Sequence, residues 1–473
     1  MNRELSPHIQ FPEPMLTFHP NGTSDTDIHP LRGLLRHGPI SSDLLPVPIK
    51  LATIAPHREG ARLHRFVEEL AAEQRPRERT EYLPVWPGFE EVFRAGLDLP
   101  GGNCDIELDP SVDRELRESE TPHTALSKHL VRAINQLRTA RADFDIVLIY
   151  LPNSWEPGFK GSGNDDFDLH DYLKAVTAAL GIPIQVINET GAMVYSCRAS
   201  VAWHVGLALY AKAGGVPWKL AGADPELAHI GISYAMRPQS ADGPRFVTCC
   251  SQIFDEAGAG IEFIAYDAHE FEMRRDNPFL SRNEMFRVMT RSMELYRHRH
   301  AGRYPKRVMV HKTSEFKREE IAGCMEALHL CEAVDLVQIS EDIAWRGVKY
   351  DVDRRTSKLG PAQFPIDRGT LATLRHYDAL LWTHGDVRGI SHNRAFFKGG
   401  AGTPRPLLLT RHAGHGSWDA TAQAILGLTK MNWNNDALYD NLPVTISYAK
   451  VLARVIKHMP TLSRIPYQFR FFM

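Results

Sequence analysis

The 473-residue chain carries 55 Lys and Arg against 57 Asp and Glu, a net charge of −2, with 43% hydrophobic and 24% charged residues. That is ordinary globular composition, long enough for two large or about three average folding units. It excludes a disordered chain and a uniformly basic nucleic-acid coat, so any polyanion has to be held in local basic pockets.

Residues 1–45 are rich in Pro, His and Gly with little periodicity and end in Leu31-Arg-Gly-Leu-Leu-Arg-His-Gly-Pro39. They read as an extended lead-in lying across the surface of another domain. Over 46–220 strand and helix patterns alternate. A strand is expected at 49–55, a helix at 58–72, and a helix opened by Thr121 and Pro122 with Leu126, Leu130, Ile134 and Leu137 on one face. The continuous apolar run 144–151 is the type buried on both faces of a parallel sheet. A helix over 168–180, a strand over 182–187 and a helix over 200–213, stopped by Gly214-Gly215, complete an α/β layer unit of Rossmann-like type.

The second unit, 221–473, begins with strands at 227–236, 245–254 and 261–266 and a long helix over 281–299. A strand at 307–311, a helix at 317–328, a strand at 333–339 and a late helix at 447–458 follow. Strands, helix, strand, helix is compatible with a ribonuclease-H-like sheet.

Generic signatures are missing. His269-Glu270-Phe271-Glu272 does not become H-E-x-x-H, and His298/His300 and His412/His415 lack partnering Cys or Asp. Gly258-Ala-Gly260 and Lys398-Gly-Gly-Ala-Gly402 complete no phosphate loop and read as turns. The six cysteines (Cys104, Cys197, Cys249, Cys250, Cys324, Cys331) form no C-x-x-C pair, which suits a reducing compartment. The start has no apolar leader and no run reaches the roughly 18 residues of a membrane span, so a cytoplasmic protein is expected.

One constellation is informative. His170 and Lys174 are four apart and share a helix face, Gln185 sits in the next strand, and Lys212 closes the helix after it. An amide, an ammonium pair and an imidazole would suit the oxygens of a terminal phosphate; a solvated helix face is the alternative. The arrangement resembles the MID domain of Argonaute proteins, where such residues bind the 5′-phosphate of a guide. The second half resembles a PIWI domain in Val308-Met-Val-His-Lys312, Gly402-Thr-Pro-Arg-Pro-Leu-Leu-Leu409, Leu428-Thr-Lys-Met-Asn-Trp-Asn434 and Leu442-Pro-Val-Thr-Ile-Ser-Tyr-Ala449. The resemblance implies a lead-in, a MID domain over 46–220 and a PIWI domain over 221–473.

It also implies a departure. PIWI nucleases hold two metal ions with clustered carboxylates, whereas the matching positions here are Ser233, Thr313 and Lys450. A glutamate finger would be Glu262 or Glu270, and one carboxylate does not hold two metals. An inactive protein is therefore expected; the competing possibility is an active guide-directed nuclease with relocated ligands such as Asp255 or Asp351. A third is a scaffold that binds only protein. With about 45 residues ahead of the first MID strand, the chain resembles the short prokaryotic Argonautes. In that family a small RNA guide pairs with single-stranded DNA, and a partner protein with an APAZ region and a sirtuin-like or TIR domain is switched on to degrade NAD in defence. The same resemblance implies a magnesium ion bridging the guide phosphate to the carboxylate of Met473. The basic run Tyr296-Arg-His-Arg-His300 with Arg303, Lys306 and Arg307 would line a duplex channel or form a solvated helix end, and residues 1–45 would belong to the partner interface.

Overall fold

The structure, a computed structural model, describes residues 8–20, 24–40, 45–163, 165–240, 243–253, 262–275, 277–352, 357–390, 396–397, 402–459, 461–462 and 466–473, and only the backbone over 237–253. Asp255 and residues 258–260 and 398–401 lie outside it. Among the described residues no helix is long and apolar enough to cross a membrane, and Cys104, Cys197 and Cys331 are free thiols.

The lead-in departs from the extended expectation. It holds a short strand, β1 (His8–Gln10), and a helix, α1 (Pro30–His37). The His29 side chain accepts from Arg32 N, Pro30 presets the first-turn φ, and Leu31 and Leu34 are buried together. Gly33 hides this helix from a periodicity reading, and it is needed: a Cβ there would fall 2.0 Å from the Phe18 ring.

The first sheet is parallel. Its centre, β2 (Ile49–Ala55), pairs with β3 (Ile146–Leu151), which pairs with β4 (Ile184–Asn188); Leu97–Asp98 and Asp105–Glu107 pair with β2 as well. Every residue of β3 is buried, because alternate side chains enter different cores. Ile146, Leu148 and Tyr150 point into one and Val147, Ile149 and Leu151 into the other. On one side α2 (Gly60–Ala71) and α5 (Arg198–Lys212) supply the cover; on the other α3 (Pro122–Leu137) and α4 (Leu169–Ala179) do. This is the Rossmann-like layering expected of 46–220.

The second sheet has ten strands. In chain order after β4 they are β5 (Leu227–Ser240), β6 (Gly243–Ile253), β7 (Glu262–Ala268), β8 (Arg307–Lys312), β9 (Ala333–Ser340), β10 (Thr370–Arg375), β11 (Asp378–Leu381), β12 (Leu407–Ala413) and β13 (Tyr467–Gln468). Their spatial order is β1-β10-β11-β12-β9-β8-β5-β6-β7-β13. Among the described residues of this sheet only β5–β8 and β8–β9 are parallel pairs. The antiparallel β5–β6–β7 meander feeding parallel strands is the ribonuclease-H-like pattern. Helices α6 (Arg282–Arg299) and α7 (Arg318–Ala327) share a core with β5 and β8, α8 (Asp419–Leu428) packs with β9 to β12, and α9 (Val444–Ile456) crosses β5. Pro443 starts α9 three residues before the expected position, since proline suits a helix entry better than an interior.

The lead-in ties both sheets together. β1 extends the ten-stranded sheet by pairing with β10. The buried Glu13 carboxylate accepts from Arg368 Nε and Lys430 Nζ, both at 2.9 Å.

Candidate anion-binding site

Helix α4 opens on Asp168, whose carboxylate accepts from the backbone N–H of His170 (3.0 Å) and Asp171 (3.1 Å). That cap sets the helix phase. Leu169 and Leu173 go into the core, and His170 and Lys174 fall one turn apart. Lys174 is almost fully buried at 4% exposure. Gln185 is carried by β4 opposite Leu148. Lys212, the last residue of α5, is 2% exposed and its Nζ donates to Gln185 Oε1 at 2.5 Å.

His170, Gln185 and Lys212 line one cavity of about 380 Å³ together with His204, Asn434 and Met473. Lys174 is not in the wall, but its charge acts on both His170 and Lys212. The four residues singled out from sequence are therefore brought to one place, and Met473 comes with them. His204 and Asn434 were missed. The signal for the first was weak, because His204 lies eight residues before Lys212 and so about 80° away round α5. Asn434 closes one of the PIWI-like segments, yet nothing local marks it as a wall residue.

The electrostatics are those of a site short of negative charge. Burial holds the His170 imidazole well below its usual range, and Lys174, Lys212 and Arg454 push the same way. His170 is itself an exposed residue in the cavity wall. Lys174 is lowered to about 8, chiefly by burial and then by Arg454, with Asp171 and Asp168 pulling against. Lys212 is lowered by burial and by Lys174, and burial lowers His204. The nearest candidate counter-ion is engaged elsewhere: Asp171 accepts from Arg454 Nε on α9 at 3.1 Å. Among the described residues neither Lys174 nor Lys212 has a carboxylate partner. Two buried ammonium groups in that state are costly until an anion arrives. A phosphate monoester, with its acceptor oxygens and double charge, fits. A neighbouring cavity of about 320 Å³ shares Gln185, Val186, Asn188 and His204 and adds Tyr195 and Ser200.

The positions matched to PIWI ligands on the sheet lie where β8 ends beside the middle of β5. Ser233 follows Ile232, which pairs with Lys312, and Thr313 follows Lys312 at the exposed strand end. Lys450 on α9 donates to Glu341 Oε2 at 2.6 Å. Glu262 is bonded by Arg299, and Glu270 accepts from Ser281 Oγ at 3.0 Å. Asp351 lies exposed on a separate two-stranded hairpin, Tyr350–Val352 with Leu359–Pro361. No group of three His, Cys, Asp or Glu with metal-binding geometry occurs among the described residues. Immediately beside this region Lys312 and Glu320 form a closed buried pair at 2.6 Å, with Tyr234 Oη also donating to Glu320.

The basic run at the end of α6 is largely neutralised. Arg299 pairs with Glu262, Lys306 with Glu226 and Arg307 with Asp224, and Tyr296 stacks on His300. A solvated helix end describes it better than a channel wall.

No family model and no curated protein matches the sequence. Solved structures do match in fold. Clostridium butyricum Argonaute bound to a guide DNA and a 19-mer target DNA superposes with a TM-score of 0.65 at 17% identity over 99% of this chain. A. aeolicus Argonaute with externally bound siRNA gives 0.65 at 16% over 99%, and Drosophila Piwi 0.58 at 13% over 98%. The chain spans 55% of the length of the first and 56% of the other two. The fold is thus Argonaute-like, with a Rossmann-like MID layer followed by a ribonuclease-H-like PIWI layer.

Proposed function

We propose that this chain binds a short guide oligonucleotide by its 5′-phosphate in the cavity of His170, Lys174, Gln185 and Lys212, and presents it for pairing with single-stranded DNA. The carrying observation is the buried basic cluster without a carboxylate partner. A phosphate would restore full charge to Lys174 and Lys212 and accept from Gln185. The adjoining cavity offers room for the first nucleoside. A small RNA is the guide, by the family resemblance, and sequence is read by base pairing while the protein holds backbone.

A magnesium ion fits the wall only together with the phosphate. Hard cations take oxygen ligands, and the Met473 carboxylate with the amide oxygen of Asn434 is a partial set that phosphate oxygens would complete, the Gln185 oxygen being taken by Lys212. Bound there, the ion would neutralise charge between phosphate and chain end.

The chain pairs with its target without cutting it. Ser233, Thr313 and Lys450 are not carboxylates, and Asp351 sits on a separate exposed hairpin; among the described residues nothing favours relocated ligands. It acts as the sensing subunit for a separate APAZ-containing effector, sirtuin-like or TIR, whose NAD-degrading activity rises on target recognition. The lead-in belongs to that interface.

Two experiments test this. In filter binding, Lys174→Ala with Lys212→Ala removes one charge-assisted contact of about 1.5–3 kcal/mol in the cavity wall and the buried charge behind it, so the preference for 5′-phosphorylated over 5′-hydroxyl guides falls at least about tenfold. Equal retention of both guides by the native protein rejects the pocket. With Mg²⁺ or Mn²⁺, a labelled target stays intact; fragments that vanish on chelation reject the inactive centre.

A further inference from the structure

A second cavity, of about 640 Å³, shares no wall residue with the anion site. It is enclosed by segments far apart in sequence: the lead-in at Pro12, Pro14 and Met15, the connection Leu220 to Asp224 between the two sheets, the start of β5, and the α8 face at Ala424 and Leu426. Its volume falls within the roughly 300–1,000 Å³ of small-molecule sites, and its concave, multi-segment wall differs from the flat face used by a protein partner.

The wall is mostly hydrocarbon and its polar groups are unbalanced. Glu13 lies in it, but its carboxylate is turned to Arg368 and Lys430. Asp224 accepts from Glu226 N–H (3.0 Å) and stands 3.9 Å from Arg307. Arg388 is exposed and has no hydrogen bond or ion pair among the described residues. The rim thus carries one guanidinium with no hydrogen bond or ion pair among the described residues, whose charge reaches only the Asp386 carboxyl beside it, and a second 3.9 Å from Asp224. His229 is 5% exposed, and burial with Arg307 nearby holds it at about 4, so the inner wall carries no imidazolium at neutral pH.

We propose that this cavity binds an anionic amphiphile, a molecule whose apolar body fills the space between lead-in, connection and α8 while one carboxylate, sulfonate or phosphate head pairs with Arg388 and Arg307. The apolar walls remove the body from water, and a guanidinium gives the head a two-pronged partner. A cationic head would meet the same arginines and be rejected. None of this depends on guide binding.

The test uses the full chain and 8-anilinonaphthalene-1-sulfonate as probe. One saturable, blue-shifted site per chain is expected, displaced by decanoate and not by decyltrimethylammonium. Arg388→Glu, a surface change, weakens the probe about tenfold or more. Ala424→Trp fills the cavity and abolishes the signal, while both variants retain 5′-phosphorylated guide as the native chain does. Displacement by both amphiphiles alike, or unchanged probe affinity in Arg388→Glu and Ala424→Trp, overturns the proposal.

Discussion

Of the places where this molecule buries basic side chains, two settle the charge in opposite ways. Beside the PIWI-like strand ends, Lys312 is 1% exposed and surrounded by its answer: Glu320 at 2.6 Å and the rings of Tyr234, Phe279 and Phe316 about the ammonium. His311 is likewise closed off, its Nδ1 2.8 Å from Thr445 Oγ1 and its proton affinity held down by burial. In the MID-like layer, Lys174 and Lys212 are as deeply buried but face each other and His170. The Lys312–Glu320 pair is complete within the chain, although His311 Nε2 beside it is buried with no hydrogen-bond partner among the described residues. The second arrangement is complete only with an anion. Burial alone therefore does not mark a ligand site; the missing partner does.

That contrast breaks or holds under three measurements, taken from the largest effect down. Glu320→Ala leaves Lys312 buried without its carboxylate, and chemical denaturation should show a loss of about 3–5 kcal/mol. A loss within experimental error would mean that the pair is not closed as described. Lys212→Met removes a buried cation that has no counter-ion, so the free protein should gain about 1–4 kcal/mol while losing phosphate-selective guide binding. A destabilised Lys212→Met would mean that a carboxylate already answers Lys212.

The third measurement is pH. Lys174 titrates near 8 in the free protein, and phosphate favours its protonated form. Guide affinity should fall as pH rises through 8, by about tenfold between pH 7 and 9. The stability of the free protein moves the other way. A lysine depressed in the folded state binds fewer protons than the unfolded chain between about 8 and 10.5, so this group makes folding more favourable as pH rises across that window. Affinity flat from pH 7 to 9 would detach Lys174 from the site.

Much of this was legible in residues alone. The run ending at Leu151 announced a strand buried on both faces, and His170 and Lys174 four apart announced a helix with two functional side chains in register. The lead-in was misread, because α1 depends on Gly33 giving room to Phe18, a contact fifteen residues apart that no period reports. β10, β11 and α8 went unassigned, and β1 joins β10 across some 360 residues.

Amino-acid order thus determined the layers, the phase of each helix and the kinds of side chain available to grip a phosphate. The tertiary structure decided which charges are answered. Asp171 is taken by Arg454 from the far end of the chain, and Glu13 by Arg368 and Lys430. Backbone periodicity acts over a few residues, whereas an ion pair needs contact within about 4 Å, which segments hundreds of residues apart reach only when the two sheets have packed.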